Sequence, residues 1–144
     1  MGVENDLKRF LDAQQPDYEI ALAEVRKGRK KSHWMWYIFP QIQGLGFSAT
    51  SKYYAIKNIQ EAEKFLKHPV LGSRLIGICN ELLQLKQNNA NAIFGSPDDL
   101  KLKSSMTLFA AIPGIDPVFQ SVLEKFFNGT KDAKTLQIIQ EKHH

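Results

Sequence analysis

The residues best suited to chemistry lie in one aromatic-rich stretch, residues 33–48, called the aromatic segment. It contains both tryptophans, Trp34 and Trp36, and it begins with His33, a residue type that gains or loses a proton near neutral pH. Aromatic faces stack on planar ligands, and the side-chain amide of Gln41 supplies directional hydrogen bonds. The segment therefore predicts one wall of a small-molecule pocket, in which His33 is an acid or base or the main hydrogen-bond donor.

The end of the aromatic segment favours a negatively charged ligand. Gly44 and Gly46 permit backbone conformations that present N–H groups to a ligand. Ser48 or Ser51 is placed to cap the helix that follows, and the N-terminus of a helix attracts anions. These features predict an anionic or phosphorylated ligand.

A second group of polar side chains lies on a predicted helix over residues 98–109. Lys101, Ser104 and Ser105 share one face of this helix, and Thr107 lies near Ser104. Serine and threonine are mediocre helix formers, so their hydroxyls either line a polar cavity or bond back to the preceding turn. Both interpretations stay open, and under the first one Lys101 binds the anion.

Together these groups predict a pocket for a nucleotide-like or other anionic ligand between the aromatic segment and the 98–109 helix. His33 is its candidate catalytic residue, and the sequence leaves open whether the ligand is converted or only bound. Arg74 is an alternative cation for the anion. The predicted ligand-binding residues are Trp34, Trp36, Gln41, Ser48, Arg74, Lys101, Ser104, Ser105 and Thr107.

Other interpretations of the same residues stay open. Large aromatics are most often core residues, so Trp34 and Trp36 are either core packing or pocket wall. A protein-interaction module would instead expose the aromatic segment as an anchor patch. Residues 26–31 carry five positive charges, which beside the tryptophans suit nucleic acid, although a solvated helix end explains them better. Nucleic acid is therefore the less favoured partner.

Composition restricts the classes to which the chain belongs. Of its 144 residues, 43% are hydrophobic and 24% are charged, which excludes a disordered protein. A net charge of +4 is small for a histone-like binder. A lone cysteine, Cys79, excludes an internal disulfide, and neither a metal nor another cofactor is expected. Without a signal peptide or a membrane-length apolar run, the expected location is the cytoplasm. His143 and His144 are given no role.

Apolar spacing predicts a single all-α domain over residues 1–144 with about seven or eight short helices. The first helix is expected to break at Pro16. Residues 29–48 are expected to form a long aromatic-rich connection, with a short extended piece at 34–39. Polar residues, often followed by proline, mark the starts of later helices at Asn58, His68, Ser96 and Asp116.

The chain resembles DUF1810, a family of small bacterial and fungal proteins defined as a domain of unknown function and sometimes labelled calpastatin. The resemblance covers nearly the whole chain and departs from the family at Lys103, where arginine is expected. It implies a compact all-α fold and no established activity, and the core-forming composition excludes a disordered calpain inhibitor. The resemblance is carried by Ser32–Gln41, Gly44–Ser48, His68–Leu75 and Asp98–Phe109.

The chain is also similar to small helical proteins that process ADP-ribose conjugates. This likeness consists of an aromatic segment with glycines, then a tyrosine-bearing helix, then the spacing of Gly72 and Arg74. It implies one alternative function, the processing of ADP-ribose conjugates.

Overall fold

Helices form most of residues 3–142, which are the residues described by this computed structural model. Within them, Ile42 and Ile56 form an isolated parallel bridge and no strand is found. In chain order the helices are α1 (Val3–Arg26), α2 (Met35–Ile38), α3 (Ala49–Tyr53), α4 (Ile59–Lys67), α5 (Pro69–Gln84), α6 (Ala90–Phe94), α7 (Asp98–Ala110), α8 (Val118–Phe127) and α9 (Ala133–Lys142).

The all-α fold predicted from the sequence is confirmed. The described residues contain nine helices rather than seven or eight, because α2, α3 and α6 are only four or five residues long and leave no apolar period. None of the helices within residues 3–142 has the length and apolar character needed to cross a membrane. His143 and His144 lie outside the described residues.

The first helix continues through Pro16, so the predicted break at this residue is wrong. Proline inside a helix removes one backbone hydrogen bond and strains the preceding turn. Here the helix is held on both sides of the proline, because Phe10 before it and Ala21 and Val25 after it are fully buried. The packing of α1 against α2 and α5 offsets the local cost.

The extended piece predicted at residues 34–39 is also wrong, because Met35–Ile38 form the helical turn α2. Glu24 holds the loop before this turn, since its carboxylate accepts hydrogen bonds from two backbone N–H groups and from the indole N–H of Trp34. Trp34 precedes this turn, whereas Trp36 lies on it. Trp34 is fully buried in the core, and Trp36 is only partly buried.

The second half of α7 lies inside the core. Ser104–Phe109 are all buried, because α7 packs against α4, α6, α8 and α9. Two of its hydroxyls bond back to the preceding turn: Ser104 Oγ donates to the Leu100 carbonyl at 3.2 Å, and Thr107 Oγ1 donates to the Lys103 carbonyl at 2.8 Å. The four neighbouring helices therefore pack against a common buried surface of α7.

Side-chain caps start the middle helices where the sequence predicts. The Asn58 side chain accepts a hydrogen bond from the N–H of Glu61 at 2.9 Å, at the start of α4. His68 Nδ1 accepts from the N–H of Val70 at 3.1 Å, at the start of α5. These caps confirm two of the predicted helix boundaries.

The backbones of α4 and α5 are in close contact at Gly72, in the first turns of α5. A Cβ atom at this position would lie 2.0 Å from the carbonyl oxygen of Leu66, at the end of α4. The N–H of Gly72 also donates to the carbonyl of His68 at 2.9 Å, which fixes the backbone there. Only glycine fits this contact between two backbones.

Candidate functional site

A surface cavity of about 240 Å³ opens between the aromatic segment and α7. It lies at the level where α7 and α9 begin, so residues from three parts of the chain meet around it. Its lining comprises Trp36, Gln41, Leu45 and Gly46 from the aromatic segment, Pro97, Leu100, Lys101 and Ser104 from α7 and its start, and Asp132 and Lys134 from the start of α9.

Four of the predicted ligand-binding residues line this cavity together: Trp36, Gln41, Lys101 and Ser104. They come from the two segments between which the pocket was expected. Two of them, Trp36 and Lys101, are in direct contact: the Lys101 Nζ atom lies 4.1 Å from the centroid of the Trp36 ring. This cation–π contact fixes a positive charge on the wall of the cavity.

Three other predicted residues of the aromatic segment do not line the cavity. Trp34 is fully buried, and its indole N–H donates to Glu24 at 2.9 Å, so it is a core residue. His33, the candidate catalytic residue, is exposed to solvent outside the cavity. Ser48 caps α3 by accepting from the N–H of Ser51 at 3.1 Å.

The remaining predicted residues, Arg74, Ser105 and Thr107, also lie outside the cavity lining. Arg74 belongs to the contact between α1 and α5, where its guanidinium lies 5.2 Å from the ring centroid of Tyr18. Gly72, which shares the ADP-ribose likeness with Arg74, forms the close contact between α4 and α5. Ser105 is fully buried, and its hydroxyl has no hydrogen-bond partner among residues 3–142.

Thr107 positions a residue that the sequence analysis missed. Its Oγ1 accepts a hydrogen bond from the backbone N–H of Asp132 at 2.9 Å, and this bond ties the start of α9 to α7. The Asp132 carboxylate oxygen Oδ2 then accepts from the N–H and the hydroxyl of Thr135, which caps α9. Because the hydrogen bond to Thr107 holds the start of α9 against α7, Asp132 and Lys134 line the cavity. The spacing of Asp132 and Thr135 signals a helix start, but not its contact with α7.

Charged side chains surround the start of α7. Asp98 forms ion pairs with Lys101 at 3.0 Å and with Lys30 at 2.9 Å, so two cations share one carboxylate. Burial alone would raise the pKa of Asp98, but hydrogen bonds from both lysines outweigh burial and lower the pKa below its usual value. The three side chains together keep a net positive charge beside the cavity.

The loop before Trp34 depends on Glu24, which the sequence analysis also missed. Burial would raise the pKa of Glu24, yet hydrogen bonds from the Ser32 hydroxyl, from the backbone N–H groups of Lys31 and Ser32 and from Trp34 lower this pKa from 4.5 to about 2. The loop is joined to α7 in turn, because Lys30 pairs with Asp98. Glu24 therefore stabilises the loop that leads into α2, the helix that contains Trp36.

A much smaller chamber, of about 20 Å³, lies beside the cavity. Both spaces are lined by Trp36, Gln41, Leu45 and Gly46. The amide nitrogen Nε2 of Gln41 is buried and has no hydrogen-bond partner within the described part of the protein. A Cβ atom on Gly46 would lie 2.6 Å from the Ser51 side chain, so glycine keeps this shared wall closely packed.

The residues that suggested nucleic-acid binding and a protein-interaction patch also have defined surroundings in the structure. In the basic stretch 26–31, Arg26 pairs with Glu81 at 2.9 Å, and Lys30 pairs with Asp98. Of the aromatic segment, Phe47 is the strongly exposed ring, with 90% of its surface accessible.

Cys79 is fully buried, and burial raises the pKa of its thiol. Within residues 3–142, no group of three or more metal-ligating side chains is found.

The fold and the sequence have relatives of unknown function. The model of a family described as "Protein of unknown function (DUF1810)" matches residues 4–139, which confirms the resemblance predicted from the sequence. The crystal structure of the conserved hypothetical protein Rv1873 from Mycobacterium tuberculosis superposes with a TM-score of 0.91. It shares 43% sequence identity, and the match covers 94% of this chain and 96% of that chain. No curated protein matches the chain.

Proposed function

The chain belongs to the DUF1810 family, and from the geometry of its cavity we propose that it binds a small anionic ligand between the aromatic segment and α7. The observation that carries this proposal is the ammonium group of Lys101, held 4.1 Å from the centroid of the Trp36 ring at the cavity wall. Lys134 adds a second cation from α9. Two lysines from separate helices at one concave surface are suited to a carboxylate or a phosphate.

The helix ends around the cavity favour the same ligand charge. Pro97 precedes α7 and Asp132 precedes α9, and both residues line the cavity. The N-terminal ends of these helices carry partial positive charge. Asp132 keeps its negative charge in the lining while it caps α9, but Lys101 and Lys134 outnumber it there, and Asp98 pairs with Lys101 and Lys30. Electrostatics at the cavity therefore supports an anion.

The contacts of Trp36 favour a ligand that binds through its negative charge over one that binds by stacking a planar ring. Because the ammonium of Lys101 already covers one face of the indole, an aromatic ring could stack on that face only if the lysine moved away. A phosphate or carboxylate needs no such rearrangement. The volume of about 240 Å³ is also below the roughly 300–1,000 Å³ usual for drug-sized ligands. The ligand we propose is therefore a small anion or the anionic part of a nucleotide-like molecule.

Thermal unfolding in the presence of inorganic phosphate, citrate and AMP tests this function. A bound anion at 100 times its Kd stabilises the fold by about 2.7 kcal/mol, which raises the Tm by roughly 5–10 °C. Lys101→Gln is expected to lose this shift. Lys103→Gln is the matched control, because Lys103 lies on the same helix but does not line the cavity.

The pair of lysine variants separates binding in the cavity from general salt effects. An equal Tm shift in Lys101→Gln and Lys103→Gln would place the anion elsewhere, and no shift of the unmodified protein with any of the three anions would refute the function. The Tm of each variant without added anion serves as the control for folding, and we expect both variants to unfold cooperatively.

A further inference from the structure

We infer that Gln41 selects the ligand: one oxygen of an oxyanion enters the small chamber and accepts a hydrogen bond from Gln41 Nε2, while another oxygen binds Lys101. This inference rests on the proposed function and narrows the ligand from any anion to a carboxylate or phosphate. It also gives the chamber, which no other part of the proposal uses, a role in recognition.

The unpartnered amide of Gln41 is the first observation behind this inference. Its Nε2 atom is buried, and none of the described residues offers it a hydrogen-bond acceptor. Proteins rarely leave such a donor unpaired, because burial removes its hydrogen bonds to water. A glutamine amide has an N–H side and a carbonyl side, and an anion selects the orientation that presents N–H groups. The amide is therefore suited to an acceptor that arrives with the ligand.

The size of the chamber limits what can reach the amide. A volume of about 20 Å³ holds one water-sized group and excludes a ring. The chamber and the larger cavity share Trp36, Gln41, Leu45 and Gly46, so an oxygen in the chamber stays close to the rest of a ligand in the cavity. One oxygen of a carboxylate or phosphate fits this arrangement.

The polar groups around the two spaces define the chemical class further. Lys101 and Lys134 are donors without acceptor atoms on their side chains, and the Gln41 amide donates from its nitrogen. An oxyanion has at least two oxygens on one centre, so it can contact Lys101 and Gln41 together. A monatomic anion such as bromide has a single centre and cannot occupy both positions at once.

Gln41→Met tests the inference, because methionine keeps a similar side-chain length and removes the donor. We expect the affinity for inorganic phosphate or acetate, whichever binds more tightly, to fall at least tenfold, as measured by isothermal titration calorimetry. Without anion, the Tm of Gln41→Met is expected to equal or exceed that of the unmodified protein, because the substitution removes an unpaired buried donor. Gln60→Met, the same substitution at an exposed position on α4, is expected to change neither quantity.

The phosphate and acetate titrations show whether the site prefers a phosphate or a carboxylate. A titration with bromide at the same ionic strength measures the attraction that comes from charge alone. If Gln41→Met keeps the full affinity while Lys101→Gln loses it, the cavity binds anions but Gln41 does not select them. Equal affinities for bromide and the tighter oxyanion, or a Tm of Gln41→Met that falls below the unmodified value, would also overturn the inference. If neither oxyanion binds the unmodified protein, the inference and the proposed function both fail.

Discussion

Gly72→Ala is expected to lower the free energy of unfolding by about 3 kcal/mol, the upper part of the usual range for an overpacked site. The added Cβ atom would lie 2.0 Å from the carbonyl oxygen of Leu66, far inside contact distance. The Leu66 oxygen belongs to the backbone, and the Gly72 backbone is held by the hydrogen bond from its N–H to the His68 carbonyl, so rotation of a side chain cannot relieve the clash. Urea denaturation followed by circular dichroism measures the loss, which corresponds to a Tm decrease of roughly 10 °C.

Gly77→Ala is the matched control for this substitution, because Gly77 lies on the same helix, α5. Its added Cβ would meet Tyr18 Oη at 3.4 Å, an ordinary contact. Alanine is a better helix former than glycine, so this variant is expected to gain about 0.5 kcal/mol of stability. Similar stabilities of the two alanine variants would show that the α4–α5 contact is looser than described.

Glu24→Ala is expected to cost about 2 kcal/mol of stability at neutral pH, the scale of hydrogen bonds to a charged group. The Glu24 carboxylate accepts hydrogen bonds from Lys31, Ser32 and Trp34, and its removal leaves the buried indole N–H of Trp34 without an acceptor. Circular dichroism in urea at a series of pH values gives both the size of this loss and its pH dependence.

The pH dependence of the Glu24 effect follows from the lowered pKa. The pKa is about 2 in the folded protein, against an ordinary value of 4.5, so the folded state favours the carboxylate form. The stabilisation is therefore complete above about pH 5 and is lost as the pH falls from 4.5 toward 2. The stability difference between the unmodified protein and Glu24→Gln should shrink over this interval.

Glu19→Gln, an exposed substitution on the same helix, is the control for this titration. It is expected to leave stability nearly unchanged at every pH, since no hydrogen bond of the folded protein is lost. A difference between the unmodified protein and Glu24→Gln that stays constant from pH 5 to pH 2 would contradict the assigned role of Glu24.

The fold was predictable where local signals determine structure. The helix starts at Asn58 and His68 were readable from local sequence, because asparagine is a preferred cap and Pro69 suits the first position of a helix, whereas the cap by the His68 side chain was not predicted. The errors at Pro16 and at residues 34–39 have a different origin. In both places tertiary contacts outweigh local preference: burial on both sides of Pro16 holds α1, and Glu24 anchors the loop before α2.

The candidate site was predictable in part. The two segments that form the cavity were identified because unusual residue types cluster there, and Trp36 and Lys101 do meet. Sequence spacing did not reveal which tryptophan enters the core, since this depends on how the one-turn helix α2 sits against its neighbours. Lys134 and Asp132 were missed because a hydrogen bond from the Asp132 N–H to Thr107, 25 residues earlier, brings them to the cavity.

The burial of Ser104–Phe109 has a consequence for how the protein opens. Amide protons in this part of α7 are enclosed by four other helices, so their exchange with deuterium requires unfolding of the whole core. Residues 47–50, by contrast, are exposed and follow the opposite wall of the cavity. We therefore expect backbone amides to exchange slowly in Ser104–Phe109 and faster at residues 47–50, so that the two sides of the cavity differ in local stability.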